Sequence, residues 1–126
     1  MATRQWVRLT LVLAIGAAGC AGREKPGLGK PAPPAVVNVA NNNYADVTVY
    51  LVHAGQRRRL GTVTGLSRQA FTLPRSAHTR ELYLLADPVG GARSYLSPAV
   101  HVRAGEAVDL RLHPTLSLSS VSVWGP

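Results

Sequence analysis

The sequence predicts an all-β protein: one small antiparallel β-sandwich of seven or eight strands across residues 35–126. Three observations carry that expectation. From Ala35 onward apolar and polar residues alternate with a period of two, the spacing of side chains that point to opposite faces of a strand. Turn-forming residues interrupt the alternation every 8–12 residues, as they do in sandwiches and small barrels. No window of 11 residues in this stretch carries the apolar stripe of a helix.

The strands are expected, in order, at 35–39, 46–53, 58–64, 69–73, 81–86, 99–103, 107–112 and 116–123. Val, Leu, Tyr and Thr dominate them, and these residues suit a pleated, half-buried surface. Asn41-Asn42-Asn43, Gly55, Gly65, Pro74, the run DPVGG at 87–91, Gly105 and Pro114 punctuate them. A type II′ turn at Gly55-Gln56 sets Leu51 opposite Leu60, Val49 opposite Thr62 and His53 opposite Arg58. Further on, Val100 and Val102 must share a face with Val108 and Leu110. An odd loop, Ala104-Gly105-Glu106, achieves this and pairs His101 with Asp109 on the other face. The expected core is Val37, Val39, Val47, Val49, Leu51, Leu60, Phe71, Leu73, Leu82, Leu84, Val100, Val102, Val108, Leu110, Leu118, Val121 and Val123.

Composition narrows the classes further. A chain of 126 residues holds one domain at most. With 46% hydrophobic and 16% charged residues it is not a disordered polyelectrolyte. A single cysteine excludes both an intramolecular disulfide and a cysteine-based zinc cluster. No cofactor is expected.

Three segments are expected: 1–19 as a signal peptide, 20–34 as a tether, and 35–126 as the sandwich. Arg4 and Arg8 precede an apolar run at 9–18, which ends in Gly19, Cys20, Ala21 and Gly22, the three-part pattern of a secretory signal. Only 14 uncharged residues run from Leu9 to Gly22, just before Arg23, whereas a membrane-spanning helix needs roughly 20. The tether carries four prolines and two glycines in the twelve positions 23–34. Such a stretch has no apolar face to bury, and at about 3.1 Å per residue it reaches roughly 35 Å. A spacer is a simpler account of it than a recognition site.

Ala17-Ala18-Gly19-Cys20 resembles the lipobox of bacterial lipoproteins, with Ala17 standing where that family usually has Leu. The resemblance implies cleavage before Cys20, a diacylglycerol on its thiol, often a further acyl chain on the new N-terminus, and the membrane as partner. Each buried methylene contributes about 0.8 kcal/mol, so two or three chains hold firmly where one does not. Ala21 is not the Asp that in this family retains a protein at the inner membrane, which implies the outer membrane of a bacterial envelope. At the level of fold alone, strand number and spacing over 35–126 are similar to immunoglobulin-like and transthyretin-like sandwiches. That likeness transfers no activity.

Candidate sites are dispersed. His101 opposite Asp109 invites a catalytic reading, but none of Ser94, Ser97, Ser117, Ser119 or Ser120 lies in a constrained nucleophile turn. An exposed cross-strand pair is the simpler account, so no catalytic residue is assigned. His53, His78, His101 and His113 lack any metal-ligand spacing, so no metal is expected. The chain carries 14 Lys and Arg against 6 Asp and Glu, a net +8 that becomes +6 once Arg4 and Arg8 are removed. Arg57, Arg59, Arg93 and Arg103 are therefore candidates for an anionic envelope polymer or glycan. The alternative role for Arg57-Arg58-Arg59 is to guard a strand against edge-to-edge pairing. Nucleic acid is not an expected partner, since no stacking platform or recognition helix is present. Tyr50 and Val52 lie opposite the inward residues of their strand, and with Tyr83 and Trp124 they are candidates for a protein contact. The expected function is thus a lipid-anchored, non-enzymatic interaction or structural module of the cell envelope. An accessory domain for an anionic polymer is the alternative, and a small hydrolase the third reading.

Overall fold

In a computed structural model of the protein, residues 30–78, 80–91 and 93–126 are described. The expected signal peptide, Cys20 and the first part of the expected tether lie outside them. Nine strands follow in order: β1 (Val36–Asn41), β2 (Val47–His53), β3 (Gln56–Val63), β4 (Arg68–Thr72), β5 (Glu81–Pro88), β6 (Tyr95–Leu96), β7 (Val100–His101), β8 (Ala107–Leu112) and β9 (Ser120–Trp124). Sheet I has the order β4-β1-β8-β9, and sheet II the order β3-β2-β5-β6 with β7 also paired to β5. The fold is a small all-β sandwich. The strand count exceeds eight because the short β6 pairs with β5 through Leu85–Leu96 and Ala86–Tyr95. All pairings are antiparallel except β1 with β8, which run parallel from Val36–Ala107 to Asn41–Leu112.

Alternation explains the core. Val37, Val39, Val108, Leu110 and Leu112 project inward from sheet I, and Val47, Val49, Leu51, Val63, Leu82 and Leu84 from sheet II; all are buried. Each such side chain contributes roughly 1.5–3 kcal/mol of transfer free energy. Phe71, Leu60 and Val121 are only partly buried and pack against this cluster. Phe71 lies over Gly61, where a Cβ would come within 2.5 Å of its ring. Leu118 and Val123, expected inside, are 65% and 40% exposed. The reason is positional: 116–118 forms a 3-10 turn rather than strand, and β9 is an edge strand.

Two hairpin expectations are corrected. The β2–β3 turn is Ala54-Gly55, with φ of 48° and 76°. Both central residues are left-handed, as a two-residue type I′ turn requires. The register begins at His53–Gln56 and Leu51–Arg58, then shifts at a bulge between Val49 and Tyr50 so that Val49 faces Gly61. Leu51 and Leu60 are not opposed because the turn sits one residue earlier than expected, and the bulge then leaves Leu60 without a partner in the register. The second correction is larger, because 99–103 and 107–112 do not form a hairpin. Val100 pairs with Leu82 and His101 with Glu81 in sheet II, whereas Asp109 lies between Asn38 and Ser122 in sheet I. Gly105, at φ 80°, turns the chain from one sheet to the other. The parity of the alternation fixes which residues face inward, not which strand they pair with.

Two polar side chains are buried among the described residues, Asn41 at 1% and Ser97 at 3% exposure, and Asn41 ties the larger number of strands. Its Nδ2 donates toward the carbonyls of Ala45 (2.9 Å), Val63 (3.1 Å) and Thr64 (3.2 Å), and its Oδ1 accepts from the Asn43 amide (3.0 Å). Asn43 in turn accepts from the Ala45 amide and donates to the Pro114 carbonyl. The expected Asn-rich turn is therefore a hub tying β1, β2, β3 and the loop after β8.

Candidate functional site

Each sheet turns one face outward, and the predicted residues fall unevenly on the two. Across sheet II the register builds a row Arg59–Tyr50–Leu85–Leu96 and a neighbouring row Arg57–Val52–Tyr83. Directly opposed residues share a face, so Tyr50, Val52 and Tyr83 come together as expected. Leu85 is buried at 7% although it lies outside the core cluster, covered within this outer face, while Leu96 at 55% exposure extends it. Leu96 was missed because β6 has only two residues and leaves no periodic signal.

The rim of this face is cationic. Arg57, Arg58 and Arg59 are all exposed on β3, an edge strand. Arg59 donates to Thr62 Oγ1 at 2.8 Å, and Thr62 also bonds to Thr48 at 3.0 Å. At the hairpin end, Arg57, Arg58 and Arg80 line a cavity of about 290 Å³ with His53, Leu51 and Leu82. His53 Nδ1 lies 2.8 Å from the Glu81 carbonyl, and its Nε2 lies 3.3 Å from Arg80. Because the guanidinium can only donate, Nε2 accepts and Nδ1 carries the proton in the neutral ring. Tyr83 donates to Glu81 Oε1 at 2.6 Å. That hydrogen bond, then the Glu81 charge, then burial raise the Tyr83 pKa, while burial alone raises that of Tyr95.

The other predicted residues are elsewhere. Trp124 is 59% exposed on β9, at the edge of sheet I, in the row Thr72–Val36–Ala107–Trp124. Arg93 is exposed in the loop before β6. Arg103 is exposed in the turn before β8, where its amide donates to Glu106 Oε2 at 2.8 Å. The four arginines proposed for an anionic ligand thus divide between an edge strand and two separate loops. His101 and Asp109 stand in different sheets, which removes the catalytic pairing considered from sequence. Among the described residues no group of three His, Cys, Asp or Glu side chains is placed to hold a metal ion. No helix among them is long and apolar enough to cross a membrane.

Sheet I presents a different outer face. Its rows are Ala70–Asn38–Asp109–Ser122 and Arg68–Ala40–Arg111–Ser120. Ala40 and Ala70 form a low floor between longer side chains, and the resulting groove of about 410 Å³ is lined by Asn38, Arg68, Asp109 and Arg111 among others. Asn38 Nδ2 donates to Asp109 Oδ1 at 3.0 Å. Neither Arg68 nor Arg111 was singled out from sequence, because they are brought together only by the pairing of β1 with both β4 and β8.

The class these features define is a small two-sheet β-sandwich with one apolar and one polar outer face. No family model and no curated protein matches the chain. A solved structure described as an NMR structure of the protein from Eubacterium rectale is similar, at 10% identity and a TM-score of 0.48, covering 79% of this chain and 97% of that one.

Proposed function

We propose that the protein is a lipid-anchored, non-enzymatic interaction module of the bacterial cell envelope, held at the outer membrane through Cys20. The tether sets its reach, and the outer face of sheet II makes the contact. One observation carries this reading: Tyr50, Val52, Tyr83 and Leu85 adjoin on one face, with Arg57 and Arg59 along its edge. An apolar centre with a charged rim is the anatomy of a protein contact. The complementary partner is an envelope protein with an apolar patch bordered by carboxylates.

The experiment has two arms. Mass spectrometry of the N-terminal peptide is expected to find Cys20 diacylated at a new N-terminus; an intact thiol overturns the anchor. A photo-crosslinking residue at Val52 is expected to give one discrete protein adduct in envelopes, lost on Tyr50→Ala with Tyr83→Ala, whereas one at Ser122 gives no protein adduct. Equal adducts at both positions overturn the choice of face. The alternative, an anionic polymer, is favoured by the cavity shared by Arg57, Arg58 and Arg80. Retention through those cations weakens steeply with salt, and retention through the apolar face does not.

A further inference from the structure

The groove on sheet I lies outside that reading, on the opposite sheet, and its chemistry is of another kind. Arg68 and Arg111 flank Ala40 in a single row and line the same cavity. Two interstrand spacings place their backbones roughly 9.5 Å apart. Long side chains from that separation can reach a common ligand above the alanine. Neither guanidinium has a hydrogen bond or ion pair among the described residues, and both side chains are exposed. Two unpartnered guanidiniums facing one cavity are a site for a carboxylate or phosphate, which each can grip through paired N–H donors.

One row away stand Asn38 and Asp109, already bonded to each other. That bond uses one lone-pair direction of Oδ1 and fixes the orientation of the carboxylate. The remaining lone pairs of Asp109 are acceptors, and an anion has no hydrogens to offer them. A bare anion therefore satisfies only half of the groove and is repelled by the other half. A ligand that combines an acidic group with hydroxyls satisfies both: the acid on the arginines, the hydroxyls on Asp109 and the amide of Asn38. Ala40 and Ala70 supply a flat apolar floor on which the C–H face of a sugar ring can rest. The volume, about 410 Å³, falls in the range of small-molecule sites. Trp124 is exposed on the same face, four positions along from the Arg111 row by the β8–β9 register. That is about 13 Å at the rise of a strand, so it offers a ring to a ligand longer than one residue.

We infer that the outer face of sheet I binds an acidic saccharide, with Arg68 and Arg111 holding its carboxylate or phosphate and Asp109 and Asn38 its hydroxyls. The ligand is an acidic sugar in a chain, not a free anion.

Calorimetry on the full chain in detergent tests this with four probes: trigalacturonate, a neutral glucose trimer, glucose 6-phosphate and inorganic phosphate. Trigalacturonate is expected to bind more tightly than the neutral trimer and than phosphate, and to weaken as salt is raised. Glucose 6-phosphate tells a phosphorylated sugar from a uronate, and preferred binding of either acidic sugar supports the inference. Arg68→Gln and Arg111→Gln are each expected to weaken binding about tenfold, the loss of one charge-assisted contact. Ala40→Leu should block the floor. Arg57→Gln, on the other sheet, should leave binding unchanged, and circular dichroism checks that each variant is folded. Phosphate binding as tightly as either sugar overturns the inference. So does indifference of a folded Arg68→Gln, Arg111→Gln double variant, or no heat from any acidic sugar at millimolar concentration.

Discussion

The two sheets are alike inside and opposite outside. Sheet II closes its outer face over apolar side chains, Tyr50, Val52, Tyr83 and Leu85, and keeps its arginines on the edge strand. Sheet I does the reverse: alanines floor a polar groove, and Arg111 projects from β8, an internal strand. The inward residues Val37, Val39, Val108 and Leu110 of sheet I and Val47, Val49, Leu82 and Leu84 of sheet II are aliphatic and buried. The difference lies wholly in alternate residues of the same strands, so one core supports two surfaces of unlike chemistry.

The strongest way to break that comparison is to attack what the sheets share. Leu84→Ala in sheet II and Leu110→Ala in sheet I each remove a fully buried side chain. Each is expected to cost about 2–5 kcal/mol, the range for leucine truncation in a packed core. Denaturant unfolding should show one cooperative transition for both variants. Two transitions, or a loss confined to one sheet's surface, would show that the core is not common.

Asn41→Ala is next. It leaves the carbonyls of Ala45 and Val63 without the side-chain donor that now reaches them, at an expected cost of about 1–3 kcal/mol. Urea denaturation measures it. A change below a few tenths of a kcal/mol would mean that water replaces the amide and that the hub is not structural.

These elements also show how far the sequence could be read. The inward residues Val37, Val39, Val108 and Leu110 were evident from alternation, which depends only on near neighbours. Their pairing as parallel strands was not, because β1 and β8 are 71 residues apart at Asn38 and Asp109 and nothing local selects the partner. The apolar face of sheet II was legible for the same reason that the groove was not. Tyr50 and Val52 sit in one strand with apolar residues on both sides, and that anomaly is visible without any pairing. Arg68 and Arg111 become neighbours only through Ala40. The β2–β3 register was missed by a different route. Ala54 adopts φ 48°, a conformation unusual for alanine, so Gly55 was read as the first residue of the turn instead of its second.

A smaller effect separates the faces by their cross-strand pairs. Sheet II joins Thr48 to Thr62 at 3.0 Å in a partly buried setting, and sheet I joins Asn38 to Asp109 at 3.0 Å in an exposed one. Double-mutant cycles to alanine are expected to give couplings of about 0.2–1 kcal/mol, larger for the threonines because water competes less there. Equal couplings would erase this contrast between a closed and an open face.

The smallest effect is a titration, and it reads the closed face directly. Tyr83 holds its proton above the usual tyrosine value because its hydroxyl donates to Glu81, whose charge also opposes a phenolate. The folded pKa is thus raised relative to the unfolded chain. The hydrogen bond therefore stabilises the fold fully below about pH 10, the unfolded value, and that stability is lost as pH rises through the folded one. Ultraviolet titration of the phenolate should move to lower pH in Glu81→Ala. The shift of Tyr95, which comes from burial, has no reason to follow. Glu81 and Tyr83 lie two residues apart on one strand, so this bond requires no distant pairing, unlike the Asn38–Asp109 bond of the open face. If Glu81→Ala leaves the titration unchanged, the pair does not persist in solution, and the aromatic face is looser than its geometry implies.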